Sequence, residues 1–364
     1  MLNVFVRALL FWLGLFELLA GWRGWRGLAW FGSRLTHRLL LLPLPPAALL
    51  GMRASWGQST ASLALALPPA LLLQVAAGSL RNRALDPRLR LRPGRQDDRD
   101  IEELHIPMRE GYLPALHLVP RSGAAAAVCV LHGSGDHKTA YTWWLADALL
   151  AQGLAVLLVD LDGHGENPRA QSYPEITEDV MVAAHWLRER YARAGVLGIS
   201  LGGCVAARAA ADGAEVDALV VLEAPPILSF TKADMRREAL ALARPRLLDL
   251  FSDCTVEQIV RTWSSAPIRA RISTWDLIAA LDLLGSLPRI GASTLLLYGA
   301  NDAIVKPAQA EQVRRAAPAG AIFRLVPRAS HLTLILDREL LREIGKWFAR
   351  ILCEHEESDE KRKT

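Results

Sequence analysis

The chain has 364 residues, of which 51% are hydrophobic and 22% are charged, and its formal net charge is +4 at pH 7. This balance excludes a disordered chain, and the length predicts one catalytic-sized domain with an appendage. The four cysteines lack paired spacing, which argues against a cysteine zinc site or a small disulfide framework. We expect Cys129 and Cys204 to be buried and reduced.

Residues 1–80 differ in composition from the rest of the chain. Ala8 to Trp22 is apolar except for Glu17 and precedes an aromatic and basic rim, while Ala54 to Leu80 carries no formal charge. A spanning helix needs about 20 apolar residues, and prolines interrupt the later apolar segments. We therefore predict a hydrophobic, membrane-associated helical region: one span or interfacial helix, followed by a kinked or re-entrant helical hairpin.

Arginines flank that hairpin on both sides, so the positive-inside rule places both flanks, and the domain that follows, in the cytoplasm. Arg53 would then lie near the hairpin tip, which counts against deep insertion. Three other interpretations of residues 1–80 stay open. They are a removable signal peptide, for which no clear cleavage site is present, a helical appendage packed on the rest of the protein, and non-native sequence translated from a misassigned start codon.

A basic linker is predicted for residues 81–100. Between Arg81 and Arg99 it holds three aspartates and seven arginines, namely Arg81, Arg83, Arg88, Arg90, Arg92, Arg95 and Arg99. No aromatic residues are interleaved with these arginines, so a membrane surface is a better partner than nucleic acid. A solvated linker is the alternative interpretation.

An α/β domain is predicted for residues 101–353, with a charged tail at 354–364. Two strand-like segments near its start, Glu103 to Ile106 and Leu113 to Val119, predict an antiparallel pair. Apolar strands then alternate with helical segments, which predicts a doubly wound, mostly parallel sheet whose ligands bind beyond the carboxyl ends of its strands.

The segment Val196 to Cys204 contains a Gly-x-Ser-x-Gly pattern centred on Ser200. A strand must turn into a helix there within a few residues, and Gly198 and Gly202 leave room for that turn. Ser200 would project from the turn while the first N–H groups of the helix point toward its target. The sequence therefore predicts a nucleophile elbow.

The strand–helix alternation stops between Glu223 and Gly291. Helical segments there predict a cap, at about residues 224–291, that lies over the site and lines a substrate pocket. Its apolar candidates, each of which has a packing role in the cap as the alternative, are Leu228, Phe230, Leu247, Leu248, Phe251, Trp263 and Trp275.

A serine nucleophile needs a base, an acid that orients the base, and donors for the oxyanion. His331 and Asp302 each follow a predicted strand, and the chain order Ser200, Asp302, His331 is the one expected for this fold. Glu223 ends the preceding strand and is an alternative acid. The N–H groups of Ser134 and Leu201 are the predicted oxyanion donors.

Residues from about Glu102 to Leu352 resemble the α/β-hydrolase superfamily, most closely its monoacylglycerol-lipase and serine-aminopeptidase-like branch. The resemblance is carried by His132 to Gly135, Asp160 to Glu166, Gly198 to Gly203, and the Asp302 and His331 pair. Ile199 departs from it, since that branch often has histidine at this position. The resemblance implies an α/β-hydrolase fold with a cap.

These residues predict a serine hydrolase that cleaves carboxylic esters of apolar or lipid-like acyl groups through Ser200, His331 and Asp302. An acyltransferase or thioesterase would use the same three residues, and a membrane-tethered pseudoenzyme would bind the ligand without turning it over. No nucleotide fingerprint or metal-ligand pattern is present in the sequence, so we assign no cofactor and no metal. The expected partners are a small apolar acyl ester and a membrane surface.

Overall fold

The computed structural model describes residues 2–23, 45, 48, 60–73, 98–138, 142–242 and 268–353. These residues fall into two compact units. The described residues up to 73 belong to the first unit, and those from 98 onward belong to the second. The predicted tail at 354–364, Cys254 and the pocket candidates Leu247, Leu248, Phe251 and Trp263 lie outside the described residues.

The second unit is built on an eight-stranded sheet with the strand order β1-β2-β4-β3-β5-β6-β7-β8. β1 pairs antiparallel with β2 and β2 with β4, whereas all the remaining pairs are parallel. This arrangement confirms the predicted doubly wound, mostly parallel sheet with an antiparallel pair at one edge. The strands are β1 Arg99–Pro107, β2 Tyr112–Pro120, β3 Ala126–Leu131, β4 Ala155–Val159, β5 Arg193–Ile199, β6 Ala218–Leu222, β7 Ser293–Gly299 and β8 Ile322–Val326.

The sheet is flanked by helices of its own unit, and the described residues of the first unit form two further helices. In chain order the described helices are α1 Leu2–Arg23, α2 at residues 60–73, α3 Thr142–Leu150, α4 Ile176–Arg188, α5 Leu201–Ala211, α6 Lys232–Leu242, α7 Thr274–Leu281, α8 Leu283–Ser286, α9 Pro307–Ala316 and α10 Arg338–Cys353. α1 and α2 belong to the first unit, and the others to the second. α4 packs against α5, while α10 packs against α3 and β5.

The core lies where the central strands are apolar along their whole length. Every residue of β3, β4 and β6 is buried, as expected for parallel strands covered on both faces. Contact with α10 is close at Gly195, where an added Cβ would lie 2.6 Å from the Phe348 ring. Cys129 and Cys204 are buried free thiols, as predicted, and burial raises the pKa of both above its usual range.

Two predicted boundaries were wrong. β1 begins at Arg99, which is 5% exposed and forms an ion pair of 2.7 Å with Asp147, so the linker predicted for 81–100 ends before this arginine. The predicted cap also extends too far along the chain, because Leu277 and Leu281 of α7 are buried in the main core and α7 packs on α5. α6 and α8 are the other described α-helices of that segment.

In the first unit, α1 and α2 contact each other through a small apolar cluster centred on Ala8 and Ala66. The Trp12 indole Nε1 donates a hydrogen bond of 2.8 Å to the carbonyl oxygen of Leu63. Within the described ranges, no helix combines the length and the apolar character that crossing a membrane requires.

Candidate active site

The turn between β5 and α5 holds Ser200 in a strained conformation, with φ 52° and ψ −115°. A Cβ at Gly198 would lie 2.3 Å from the Gly202 carbonyl oxygen, and one at Gly202 would lie 2.6 Å from the His132 carbonyl oxygen. The backbone N–H of Ser200 donates to Leu222 of the neighbouring strand β6, at 2.8 Å. The predicted requirement for glycine on both sides of Ser200 is thereby confirmed.

A continuous hydrogen-bonded chain of side chains runs from this turn. Ser200 Oγ lies 3.1 Å from His331 Nε2, and His331 Nδ1 lies 2.8 Å from Asp302 Oδ2. In the tautomer that satisfies both contacts, the hydroxyl donates to Nε2 and Nδ1–H donates to the carboxylate. His331 is therefore within hydrogen-bond distance of both Ser200 and Asp302, as the chain order predicted, and its imidazole can accept the serine proton.

Asp302 is held in place by its own loop. It follows β7, is 3% exposed, and accepts hydrogen bonds of 2.7 Å from the backbone N–H groups of Ile304 and Val305 at Oδ1. These two bonds leave Oδ2 directed at the imidazole. A carboxylate fixed in this way sets both the tautomer and the orientation of His331.

The imidazole of His331 is largely buried, with 12% of the side chain exposed. Burial acts to lower the pKa of His331, but the charge and hydrogen bond of Asp302 and the charge of Glu238 outweigh it and raise that pKa above its usual value. A carboxylate beside a largely buried imidazole stabilises the cation that forms when the imidazole takes up the serine proton.

Glu223, the alternative acid, occupies a different position beside the same ring. Its Oε2 lies 3.9 Å from His331 Nδ1, beyond hydrogen-bond distance, and its Oε1 has no hydrogen-bond partner. Burial, together with the charges of Asp302 and Glu238, raises the pKa of Glu223 well above its usual range. The geometry thus gives the orienting bond to Asp302, while the raised pKa favours the protonated form of Glu223.

The two predicted oxyanion donors flank the serine. Leu201 is the first residue of α5, so its N–H has no acceptor within that helix. The loop after β3 passes beside Ser200, since a Cβ built at Gly133 would lie 3.6 Å from Ser200 Cβ, and the next residue, Ser134, is exposed in a turn. The assignment of the two N–H groups as oxyanion donors stays a prediction.

Buried polar contacts fix the loop that carries Ser134. His132 accepts a hydrogen bond of 3.1 Å from the N–H of Leu161. The Lys138 ammonium, which is 5% exposed, contacts Asp160 at 2.8 Å and also contacts Glu166. These bonds join the loops after β3 and β4. The part played by Lys138 was not predicted.

Glu238 of α6 is a second residue that the sequence reasoning missed. Its side chain is fully buried and accepts hydrogen bonds from the backbone N–H groups of Ala303 and Leu332, at 2.7 and 3.1 Å. These two residues follow Asp302 and His331 directly. No local signal marks this glutamate, because it directly follows two arginines, Arg236 and Arg237, in a helix rich in charged residues.

One group of metal-capable side chains occurs within the described ranges, formed by Glu223, Asp302 and His331, whose ligand atoms lie within 4.8 Å of one another. His331 Nδ1 already shares a proton with Asp302 at 2.8 Å. A metal ion would have to displace that proton and break the orienting bond. The chemistry of the group therefore fits proton transfer better than metal binding.

A protein-family model described as serine aminopeptidase, S33, matches residues 122–339, which is more than half of the chain. The chain belongs to this family of α/β hydrolases. The match includes Ser200, Asp302 and His331, and it confirms the resemblance inferred from the sequence motifs.

Solved structures share the fold of this hydrolase. An esterase from Pyrococcus furiosus aligns with a TM-score of 0.51 at 19% identity, over 70% of this chain and 92% of its own. A bromoperoxidase from Bacillus anthracis aligns with a TM-score of 0.52 at 18% identity, over 69% of this chain and 100% of its own. At these identities the likeness shows the α/β-hydrolase fold alone.

Two curated relatives match at higher identity and differ in how much of their own length is matched. An uncharacterized protein of Mycobacterium tuberculosis is 31% identical over 147 residues, and this match spans 37% of the chain and only 40% of the relative. The pimeloyl-[acyl-carrier protein] methyl ester esterase of Chromobacterium violaceum is 26% identical over 260 residues, which are 65% of this chain and 96% of the esterase.

Proposed function

We propose that this protein is a serine hydrolase that cleaves carboxylic esters of apolar or lipid-like acyl groups. The observation that carries the proposal is the hydrogen-bonded series from Ser200 Oγ through His331 to Asp302. An oriented serine–imidazole pair is what acyl transfer requires, and the strained turn presents the hydroxyl beside the start of a helix.

The proposed reaction proceeds through an acyl-enzyme. Ser200 Oγ attacks the ester carbonyl carbon while His331 Nε2 takes the hydroxyl proton. The carbonyl oxygen becomes an oxyanion that accepts hydrogen bonds from the N–H groups of Leu201 and Ser134. When the C–O bond breaks, His331 returns the proton to the leaving alkoxide. Water, deprotonated by the same imidazole, then attacks the acyl group and releases the acid and Ser200.

An ester with an apolar acyl group is the substrate that two observations favour. The relative that aligns over nearly its whole length bears the name of a methyl ester esterase. Phe230 and Trp275, in the segment that follows β6, have ring centroids 5.3 Å apart, and Trp275 is 52% exposed. An aromatic pair partly open to solvent suits an apolar chain better than a charged one.

Turnover by the full-length protein tests this proposal. We expect hydrolysis of p-nitrophenyl esters, with kcat/KM rising from acetyl to longer acyl chains, and we expect Ser200→Ala to abolish it. Because the family description names an aminopeptidase, aminoacyl p-nitroanilides should be assayed in parallel. Faster cleavage of the anilides than of every ester would replace the ester proposal with a peptidase, and no turnover of either class would contradict both.

We further propose that residues 1–80, together with the arginines that follow, bind a membrane surface and keep the hydrolase on its cytoplasmic side. Large apolar side chains are exposed on both helices of the first unit, among them Leu10 at 46%, Leu65 at 68% and Leu72 at 68%. Exposed apolar side chains near basic residues favour interfacial binding to anionic lipid.

Flotation with vesicles containing phosphatidylserine tests the membrane proposal. We expect the full chain to float with the vesicles and the variant with Leu65→Ser and Leu72→Ser to float less. Equal flotation of the two proteins, or no flotation of the full chain, would contradict the assignment of these side chains to the membrane surface.

A further inference from the structure

Glu238 lies outside the loops that carry Asp302 and His331, yet its side chain bonds to both of them. It lies on α6, where the neighbouring Arg236 and Arg237 are exposed, yet its own side chain is fully buried. A buried carboxylate is costly unless its oxygens are hydrogen-bonded. Both oxygens of Glu238 are hydrogen-bonded. Oε1 accepts from the backbone N–H of Ala303, and Oε2 accepts from the backbone N–H of Leu332.

The two donors belong to separate parts of the chain that must stay aligned. Ala303 follows Asp302 in the loop after β7, and Leu332 follows His331 in the loop after β8. The bond between His331 and Asp302 joins the same two loops at 2.8 Å. The carboxylate of Glu238 therefore closes a second connection between them, one residue away from the first on each side.

We propose that Glu238 is a positioning residue, which holds the Asp302 and His331 loops in register with Ser200 and makes the reactivity of that site depend on the placement of α6. This inference rests on the proposed serine-hydrolase function. Because α6 follows β6 in the segment predicted to form the cap, a displacement of this helix would release both loops at once.

The charge of Glu238 and the length of its side chain contribute separately to its positioning role. The negative charge of Glu238 favours the imidazolium form of His331, alongside the charge of Asp302 and against burial, while Glu223 is the third carboxyl group near the ring. The length of the side chain lets it bridge two N–H groups. Glu238→Gln removes the charge at nearly constant length, and Glu238→Asp keeps the charge on a side chain one methylene shorter.

A matched control lies on the same helix. Asp234 accepts hydrogen bonds from the N–H and hydroxyl of Thr231 at 2.9 Å, so it caps α6 without a hydrogen bond to either site loop in the described structure. Asp234→Asn loosens the start of the helix by the same carboxylate-to-amide exchange. It reports what a merely less stable α6 does to activity.

The experiment measures kcat/KM for a p-nitrophenyl ester against pH, and the rate constant of fluorophosphonate labelling per reactive site, in the full-length wild type and the variants. For Glu238→Gln we expect a loss of about 100-fold, the size associated with misplacing a catalytic group by about 1 Å. Its KM should be nearly unchanged, and the acidic limb of its pH profile should move to lower pH. Glu238→Asp should lose activity without moving that limb, and Asp234→Asn should stay within about twofold of wild type.

Labelling per reactive site counts only folded protein, so partial unfolding does not mimic the expected loss. Wild-type rates and an unmoved pH profile in Glu238→Gln, with labelling that still depends on Ser200, would overturn the positioning role alone. Equal losses in Glu238→Gln and Asp234→Asn would also overturn it, because they would show a general effect of helix stability. Absence of Ser200-dependent labelling in the wild type would instead contradict the proposed function.

Discussion

A buried acid follows each of two neighbouring strands, and both acids lie beside the His331 imidazole. The two acids differ in their hydrogen bonds. Asp302 follows β7 and receives two backbone N–H bonds in addition to its bond to His331. Glu223 follows β6, lies 3.9 Å from the ring, and has one carboxyl oxygen without a partner. The backbone around each acid therefore decides which of the two accepts the hydrogen bond from His331 Nδ1.

The comparison shows why the position of an acid at a strand end does not by itself define its role. Burial and the nearby charges of Asp302 and Glu238 raise the pKa of Glu223 well above its usual range, which favours its protonated form. Two adjacent carboxylates would repel each other in a site of low polarity. A single negative charge directed at the imidazole is the arrangement that stabilises its cation.

The largest expected effect is that of Asp302→Asn. The amide would stabilise the wrong tautomer of His331, so kcat/KM for p-nitrophenyl esters should fall by about 10⁴-fold. Glu223→Gln is the matched control, and its kcat/KM should stay within about threefold of wild type. Similar losses in the two variants would erase the distinction between the acids, and a larger loss in Glu223→Gln would reverse it.

A smaller effect is expected when the two substitutions are combined. Without the charge of Asp302, Glu223 ionises more readily and can serve His331 as a weak substitute. Adding Glu223→Gln to Asp302→Asn should therefore lower the residual kcat/KM by roughly a further tenfold, a coupling of about 1.4 kcal/mol. Additive effects in this double-mutant cycle would contradict this substitution of one acid by the other, because Glu223 would then contribute no more without the Asp302 carboxylate than with it.

The pH dependence of kcat/KM gives the next test. His331 must be neutral to accept the serine proton, and its pKa is raised in the folded protein. Activity should therefore decline on acidification through a limb above pH 6.5, the ordinary value for histidine. Glu223→Gln should leave this limb in place if Glu223 is already neutral. A shift of the acidic limb to lower pH in Glu223→Gln would show that Glu223 is charged.

The smallest expected effect concerns stability. A carboxyl group whose pKa is raised on folding binds more protons in the folded than in the unfolded state, so its contribution weakens as pH rises above the unfolded value of about 4.3. In urea unfolding, the free energy of unfolding of Glu223→Gln minus that of wild type should increase from pH 4 to pH 8, by at most about 1.4 kcal/mol per pH unit. A constant difference in unfolding free energy across this range would contradict the raised pKa.

The parts of the site that were predictable are those fixed by short stretches of sequence. Ser200 lies between glycines whose absent Cβ atoms make its turn possible, and that requirement is visible in five consecutive residues. The mostly parallel sheet was predictable because apolar runs alternate with helical segments. His331 and Asp302 were predictable because each follows such a run in the chain order of the fold.

The parts that were not predictable depend on contacts through space. Whether Asp302 or Glu223 bonds to His331 depends on differences of about 1 Å that no sequence pattern encodes. Lys138 and Glu238 look like surface residues in their local segments, yet each is buried by partners from other loops. Arg99 was assigned to a linker for the same reason, since its partner Asp147 lies on a helix far along the chain.

The most direct test of the Ser200, His331 and Asp302 assignment is to label the full-length protein with a fluorophosphonate and identify the modified peptide by mass spectrometry. We predict one phosphonyl group, on Ser200, and we predict that Asp302→Asn slows this labelling far more than Glu223→Gln does. Labelling of a different residue, or none in a protein shown to be folded, would contradict the assignment of Ser200, His331 and Asp302 as the reacting group.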